Sequence, residues 1–187
     1  MLRIFPPVSK ALCFFGMQLI RCTKKLQKEV GIKSTDLVTL NPDFSYLGQW
    51  HANLIYINGR KCVLFANDRT LLNFISPDVS RAQIKDFGNL FRTWLSAVLH
   101  HEGLEPALVQ QILTEYEEVG IAKTESRSVL GSLNDLAFHY EFLIQDSDGL
   151  HSPEIPDIIY KLNRMPMSPL KLAFPDKELR ALYGVAT

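Results

Sequence analysis

Apolar runs rich in β-branched and aromatic residues occupy the middle of the chain. Two of them, residues 50–57 and 61–66, flank the dipeptide Asn58-Gly59. Asn and Gly readily adopt the positive φ angles of a tight type I′ turn, so this dipeptide between two such runs predicts a β-hairpin. A third apolar run follows a second turn. The pattern predicts an antiparallel meander of three strands over residues 50–76.

A helical period replaces the strand pattern further along the chain. Apolar residues recur at spacings of three and four in residues 80–102, 106–118 and 126–144, which is typical of helices with one buried face. A shorter helix is predicted over residues 24–30, with Thr23 as its N-cap. Two short apolar runs predict additional strands. One is residues 17–22, ahead of the helix at 24–30, and the other is residues 121–123, ahead of the helix at 126–144.

Length and pattern together predict one domain of the α+β class. A chain of 187 residues is a normal size for a single core. We expect residues 17–187 to form an antiparallel sheet, built on the meander, that packs against about four helices. Residues 1–16 are expected to be an N-terminal extension, with translation starting at Met17 rather than Met1. Residues 150–187 hold five of the ten prolines and are predicted to form an extended, turn-rich arm that ends in a helix.

The charge balance restricts the classes of partner. Twenty Lys and Arg residues cancel twenty Asp and Glu residues. Proteins with a general affinity for nucleic acid usually carry a basic excess, so we expect none here. A hydrophobic fraction of 47% is typical of an ordinary globular protein. The apolar stretch at residues 11–20 is too short to span a membrane, which needs about 20 residues, and no membrane association is expected.

Cysteine and histidine usage argues against a metal or disulfide framework. There are three cysteines, an odd number, and no Cys-x-x-Cys or His-x-x-x-His pair. The sequence also lacks both common glycine-rich phosphate loops and the metalloprotease motif. We therefore expect no metal and no cofactor. Reduced thiols in a cytoplasm are the simplest interpretation.

The first candidate site is the string Arg21-Cys22-Thr23-Lys24-Lys25. The amino end of a helix carries partial positive charge, so lysines in a first turn are locally unfavourable by about 0.3–1 kcal/mol. Free amide groups combined with basic side chains make a site for an anion such as phosphate. The alternative is that both lysines simply point into water.

The second candidate site begins at Ser126, Arg127 and Ser128, at the start of another predicted helix. Gly131 inside that helix costs about 1 kcal/mol relative to alanine, which favours close approach by another backbone or a ligand. Asn134 follows one to two turns later and completes the candidate ligand-binding residues. The alternative is an ordinary capped helix with a packing glycine.

A weaker catalytic candidate lies on the same helix. Asp135 and His139 are four residues apart, so they share a helix face. A carboxylate beside an imidazole can tune a general base. Such a pair is more often a surface contact.

Four stretches together resemble a known family. They are residues 21–25, 50–55, 60–65 and 126–135, of which the first and last carry the motifs R-C-T-K-K and S-R-S-V-L-G-S-L-N-D. The family consists of small bacterial proteins classed as a domain of unknown function, and the likeness runs from about Met17 into the Pro-rich arm. It implies a bacterial, cytoplasmic protein and identifies no catalytic residue.

Three functional hypotheses remain open. The favoured one is a non-enzymatic binding module, in which the helix starts around Thr23 and Ser126 converge beside the sheet and hold a phosphate-bearing ligand or an acidic partner surface. The alternative is a small hydrolase or transferase that uses Asp135 and His139, with Arg127 stabilising negative charge. The third is a protein-interaction subunit, which an exposed apolar patch would indicate.

Overall fold

The computed structural model describes residues 17–39, 46–124 and 127–186, without the side chain of Arg127. The predicted extension at residues 1–16 and the candidate residue Ser126 lie outside the described residues.

The described residues contain a five-stranded sheet and seven α-helices. The strands are β1 (Gln18–Cys22), β2 (Trp50–Ile57), β3 (Arg60–Asn67), β4 (Asn73–Ser76) and β5 (Val119–Lys123), in the order β4-β3-β2-β1-β5. The helices are α1 (Lys24–Val30), α2 (Arg81–Lys85), α3 (Phe87–His101), α4 (Pro106–Thr114), α5 (Arg127–Asp146), α6 (Ile155–Leu162) and α7 (Pro175–Tyr183). Short 3-10 helices cover Ser34–Asp36 and Ser168–Leu170. The α+β class is confirmed.

The predicted meander forms one half of the sheet. β2, β3 and β4 pair antiparallel, and the first hairpin closes with Ile57 opposite Arg60. Asn58 and Gly59 both have positive φ angles, 50° and 75°, as a type I′ turn requires. This turn sets the register of the whole hairpin, up to the pair of Trp50 with Asn67.

The other half of the sheet is parallel. β1 lies between β2 and β5 and runs parallel to both, with Ile20 opposite Trp50 and Cys22 opposite Lys123. Parallel neighbours need a long crossover connection. The segment containing α1 connects β1 to β2, and α2 to α4 connect β4 to β5. The sheet is therefore mixed rather than wholly antiparallel.

Helices cover both faces of the sheet. On one face, Glu29 of α1 pairs with Lys61 Nζ at 2.7 Å. On the other, Tyr140 of α5 donates to Asn73 Oδ1 at 2.8 Å. Asn73 lies opposite Ala66, which is five residues from Lys61 along β3, and an odd separation places two strand residues on opposite faces. Thus α1 and α5 pack on opposite faces.

An aromatic core fills the space between the sheet and α3. Phe91 of α3 contacts Trp50, Phe65 and Phe74, with ring centroids 5.2–5.9 Å apart. The buried Trp50 Nε1 donates to Tyr116 Oη at 3.0 Å. The long helix predicted from residue 80 is two helices, because the chain bends at Asp86 between α2 and α3. This break adds to the helix count.

The proline-rich segment is more helical than its composition indicates. An extended course was predicted, yet residues 155–162 form α6, and its Ile155, Ile158, Ile159 and Leu162 are buried in the core. Pro156 lies in the first turn of α6, where a missing amide hydrogen costs nothing. The predicted terminal helix is present as α7.

Asn163, directly after α6, joins this segment to the sheet. Its Oδ1 accepts from the Asn73 backbone N at 2.8 Å and from Asn73 Nδ2 at 3.0 Å. Its Nδ2 donates to the Asn73 backbone O at 2.9 Å and to Ile159 O at 3.0 Å. Both asparagines are fully buried. The side chain of Asn163 thereby occupies the free backbone edge of β4 at Asn73.

A second link joins the same segment to the end of α3. Arg164 makes two hydrogen bonds to the buried Glu102 carboxylate, at 2.8 and 3.1 Å. Asp176 Oδ2 lies 3.6 Å from the Arg164 Nη2, and Arg180 Nη2 donates to the Glu102 backbone O. Both terminal nitrogens of the Arg164 guanidinium thus pair with the Glu102 carboxylate.

Candidate functional site

The carboxyl ends of β1 and β5 lie side by side. β1 ends at Cys22 and leads through Thr23 into α1, whereas β5 ends at Lys123 and leads through Thr124 toward α5. Since α1 and α5 pack on opposite faces, the chain leaves these two strands in opposite directions. In open sheets with parallel strands, ligands commonly bind where neighbouring strands lead to opposite faces in this way. We call Cys22, Thr23, Lys123 and Thr124 the switch point.

Arg21 ties the two strand ends together. Its Nη1 donates to Lys123 O at 3.2 Å, and its own carbonyl accepts from Thr124 Oγ1 at 3.2 Å. Its Nε donates to Gln49 Oε1 at 2.7 Å, so the half-buried guanidinium is held in one orientation. The segment ahead of α1 therefore contacts the segment ahead of α5.

Thr23 occupies the N-cap position of α1 but makes no side-chain cap bond. Its hydroxyl donates instead to Asn53 Oδ1 of β2 at 2.9 Å. The expected capping contact is wrong for this reason, since the neighbouring strand offers a competing acceptor. The first-turn amides of α1 consequently receive no hydrogen bond from Thr23.

The cations near the switch point differ in their surroundings. Lys24 and Lys25 are both exposed, but Lys25 Nζ lies over the Tyr56 ring, 4.3 Å from its centroid. Lys25 is thereby held against β2 on the α1 face. Lys123 is exposed at the end of β5, directly opposite Cys22. Sequence reasoning missed Lys123, because its proximity to Arg21 depends on strand order.

A buried histidine lies next to Arg21. His51 is its register partner on β2, has 1% of its surface exposed, and has its Nε2 3.3 Å from Asp68 Oδ1. The hydrogen bond from His51, together with the charge of Arg21, lowers the pKa of the Asp68 carboxyl. His51 Nδ1 is buried and has no hydrogen-bond partner within the described residues. This pair was also missed, because its members are 17 residues apart.

The α5 candidates are spread along the helix. Ser128 is exposed in its first turn, while Asn134 and Asp135 are exposed farther along, about 10 Å from its start. His139 is half-buried with its ring against Phe138. In the part of the chain that the structure describes, no ion pair joins Asp135 to His139. The catalytic hypothesis thus gains no geometric support.

The described residues at this end of the sheet include a buried thiol and no cluster of metal ligands. Burial raises the pKa of the Cys22 thiol well above its ordinary value, so it is not a thiolate nucleophile. Residues 17–39, 46–124 and 127–186 contain no group of three His, Cys, Asp or Glu side chains that could hold a metal ion. None of the helices within these ranges is long and apolar enough to cross a membrane.

Gly131 does not have the neighbour that its position in a helix suggested. A Cβ built on it would meet no atom within 4 Å, and the residue is exposed. Close packing against the described part of the chain therefore does not explain this glycine.

We expect Gly131→Ala to stabilise the fold by about 0.5–1 kcal/mol, because alanine loses less backbone entropy in a helix. For a protein of this size that is a rise of about 2–4 °C in Tm per kcal/mol, measurable by circular dichroism. Gly149→Ala is the matched control, since Gly149 has φ +83° and equally open surroundings. It should lower Tm, and a decrease for Gly131→Ala as well would contradict the prediction.

Comparison with known families identifies the family of this chain. A family model described as a domain of unknown function (DUF6933) matches residues 19–178. The chain belongs to the DUF6933 family. This confirms the resemblance to an uncharacterised domain family. A search of curated proteins and a search of solved structures each found no match.

The DUF6933 match includes the switch point. It extends from β1 into α7 and so contains Arg21, Lys24, Lys123 and all of α5. Both strand ends that meet at the switch point thus lie within the matched segment of this chain.

Proposed function

We propose that this DUF6933 domain is a non-enzymatic module that binds a phosphate-bearing anion at the switch point. One observation carries the proposal: β1 and β5 are parallel neighbours whose following helices lie on opposite faces. In sheets with parallel strands, ligands commonly bind at such a junction of strand ends. The strand ends here also carry the cations that an anion needs.

The charges support an anionic rather than a neutral ligand. Arg21 is held between the two strand ends. Lys24, which follows β1, and Lys123, which ends β5, are both exposed. α5 has 20 residues and begins three residues after Thr124, so the partial positive charge of its amino end lies nearby. These groups attract one negatively charged ligand.

Each group has a distinct role in the proposed complex. The fixed guanidinium of Arg21 positions the ligand, because its bonds to Gln49 and Lys123 leave it little freedom. Lys24 and Lys123 contribute charge as flexible donors. His51 is buried beside Arg21, and its Nδ1 has no partner among the described residues, so a bound water would complete its hydrogen bonding.

We also propose a bacterial cytoplasmic setting. The motif resemblance supports a bacterial origin. Cys22 and Cys62 are free and buried, which fits a reducing compartment.

The proposal is tested by titrating the full chain with inorganic phosphate, pyrophosphate and ATP at constant ionic strength, with Tm and calorimetric binding as readouts. At 100 times Kd a ligand stabilises by about 2.7 kcal/mol, which raises Tm by about 5–10 °C. We expect Lys24→Gln, Lys123→Gln and Arg127→Ala each to weaken binding by about 3–10-fold, since each removes one charge.

Lys28→Gln is the matched control for these variants. Lys28 is exposed in the last turn of α1, away from the switch point, and its loss should change affinity less than about twofold. The proposal fails if none of the three anions raises Tm more than chloride does. It also fails if Lys28→Gln weakens binding as much as Lys24→Gln.

A further inference from the structure

The outer face of α5 carries two exposed aromatic side chains. Phe138 and Phe142 are 68% and 61% exposed, the two most exposed aromatic side chains within residues 17–39, 46–124 and 127–186. Residues four apart lie one turn apart on one helix face, about 6 Å along the axis. Single exposed apolar residues are common, but two neighbouring rings form a continuous apolar stripe.

Acidic side chains border this stripe on both sides. At 100° per residue, Glu141 falls on one side of the two rings, and Asp135 and Asp146 fall on the other; all three are exposed. Residues 128–150 contain four Asp and Glu residues and no Lys or Arg. Within the described side chains, no Lys or Arg lies at ion-pair distance from these carboxylates.

Gly131 continues the same line toward the start of α5. It precedes Phe138 by seven residues, which is two helical turns, and has open space where a Cβ would lie. The absence of a side chain lets another backbone approach α5 closely at this point. A second helix can therefore lie along this line, with its backbone close to Gly131 and its side chains against Phe138 and Phe142.

We propose that the outer face of α5 docks a basic amphipathic helix of a protein partner. The apolar stripe of that helix packs on Phe138, Phe142 and Gly131, and its flanking Lys and Arg side chains meet Asp135 and Glu141. Helix pairs combine an apolar seam with charged flanks in this way. A second copy of this face would set acid against acid, and an anionic membrane would repel it.

The proposal is tested with the full chain and a fluorescent 18-residue peptide that has Leu at helical spacing and Lys elsewhere. We expect saturable binding with a Kd below about 100 μM, as for a small transient interface. Hydrogen exchange should show added protection on α5. Two control peptides, one with Glu in place of Lys and one with the Lys and Leu positions scrambled, should not bind.

Variants separate the apolar from the charged contribution. Phe138→Ser with Phe142→Ser should weaken peptide binding by at least about 30-fold, the loss typical of interface anchors. Asp135→Asn with Glu141→Gln should weaken it by about 3–10-fold and reduce its salt dependence. Tyr56→Thr is the control: Tyr56 is a 43% exposed aromatic on the opposite face of the sheet, and its loss should leave binding unchanged.

Several results would overturn the proposal. One is failure of the Lys/Leu peptide to bind, or equal binding by the Phe138→Ser, Phe142→Ser variant when its circular dichroism shows a native fold. Equal binding of the Glu/Leu peptide is another. Self-association of the free chain that the Phe variants abolish would assign the face to a second copy. Phe-dependent binding to phosphatidylserine vesicles would assign it to a membrane.

Discussion

Replacing Asn163 with alanine is expected to lower the free energy of unfolding by about 3–5 kcal/mol. The Asn163 side chain makes four hydrogen bonds, three of them to Asn73. Without it, the backbone N and backbone O of Asn73 lose their partner in a fully buried position, whereas Asn73 Nδ2 keeps its bond to Leu71 O. Each buried polar group left unpaired costs about 1–3 kcal/mol, and a cavity adds to the loss.

Urea unfolding followed by fluorescence measures this effect. Asn89→Ala is the matched control, because Asn89 is exposed on α3 and should change stability by less than about 0.5 kcal/mol. A loss below about 1 kcal/mol for Asn163→Ala would show that water or relaxation replaces the network.

Arg164→Met is expected to lower the free energy of unfolding by about 2–4 kcal/mol. The Glu102 side chain is 2% exposed, so the variant leaves a buried carboxylate without its guanidinium partner. Breaking a buried ion pair by removing one member costs about 3–5 kcal/mol. We expect somewhat less, because Arg164 is 28% exposed and water reaches part of the site.

A second substitution distinguishes lost charge pairing from lost packing. Glu102→Gln in the Arg164→Met background removes the unpaired charge and should restore at least about half of the lost stability. Lys61→Met is the control: Lys61 and Glu29 also pair at 2.7 Å, but their side chains are 35% and 29% exposed. Breaking that pair should cost less than about 1 kcal/mol. Equal losses for Arg164→Met and Lys61→Met would refute the burial argument.

Local chemistry made the meander predictable, whereas long-range pairing hid the rest of the sheet. Asn58-Gly59 encodes its turn through positive φ angles, so the hairpin follows from two residues. The position of β1 between β2 and β5 depends on contacts about 30 and 100 residues apart in the chain. The proline content of residues 150–187 hid α6, because Pro156 lies in the first turn of this helix, where proline is tolerated.

The candidate site divides in the same way. Arg21 and Lys24 were noticed because charge beside a predicted helix start is a local signal. Lys123 was not, and the place of His51 beside Arg21 was not predicted either, since both follow from strand order and register. Asp135 and His139 do lie on one helix, as predicted. Asp135 is exposed, however, and the ring of His139 packs against Phe138.

The contact between Asn163 and Asn73 bears on how the chain is made. β4 is an edge strand, and an uncovered strand edge is a template for pairing with other chains. The side chain that occupies this edge lies 90 residues later in the sequence. During synthesis the edge thus emerges long before its cover, and a newly made chain passes through an interval in which it is prone to associate with its neighbours.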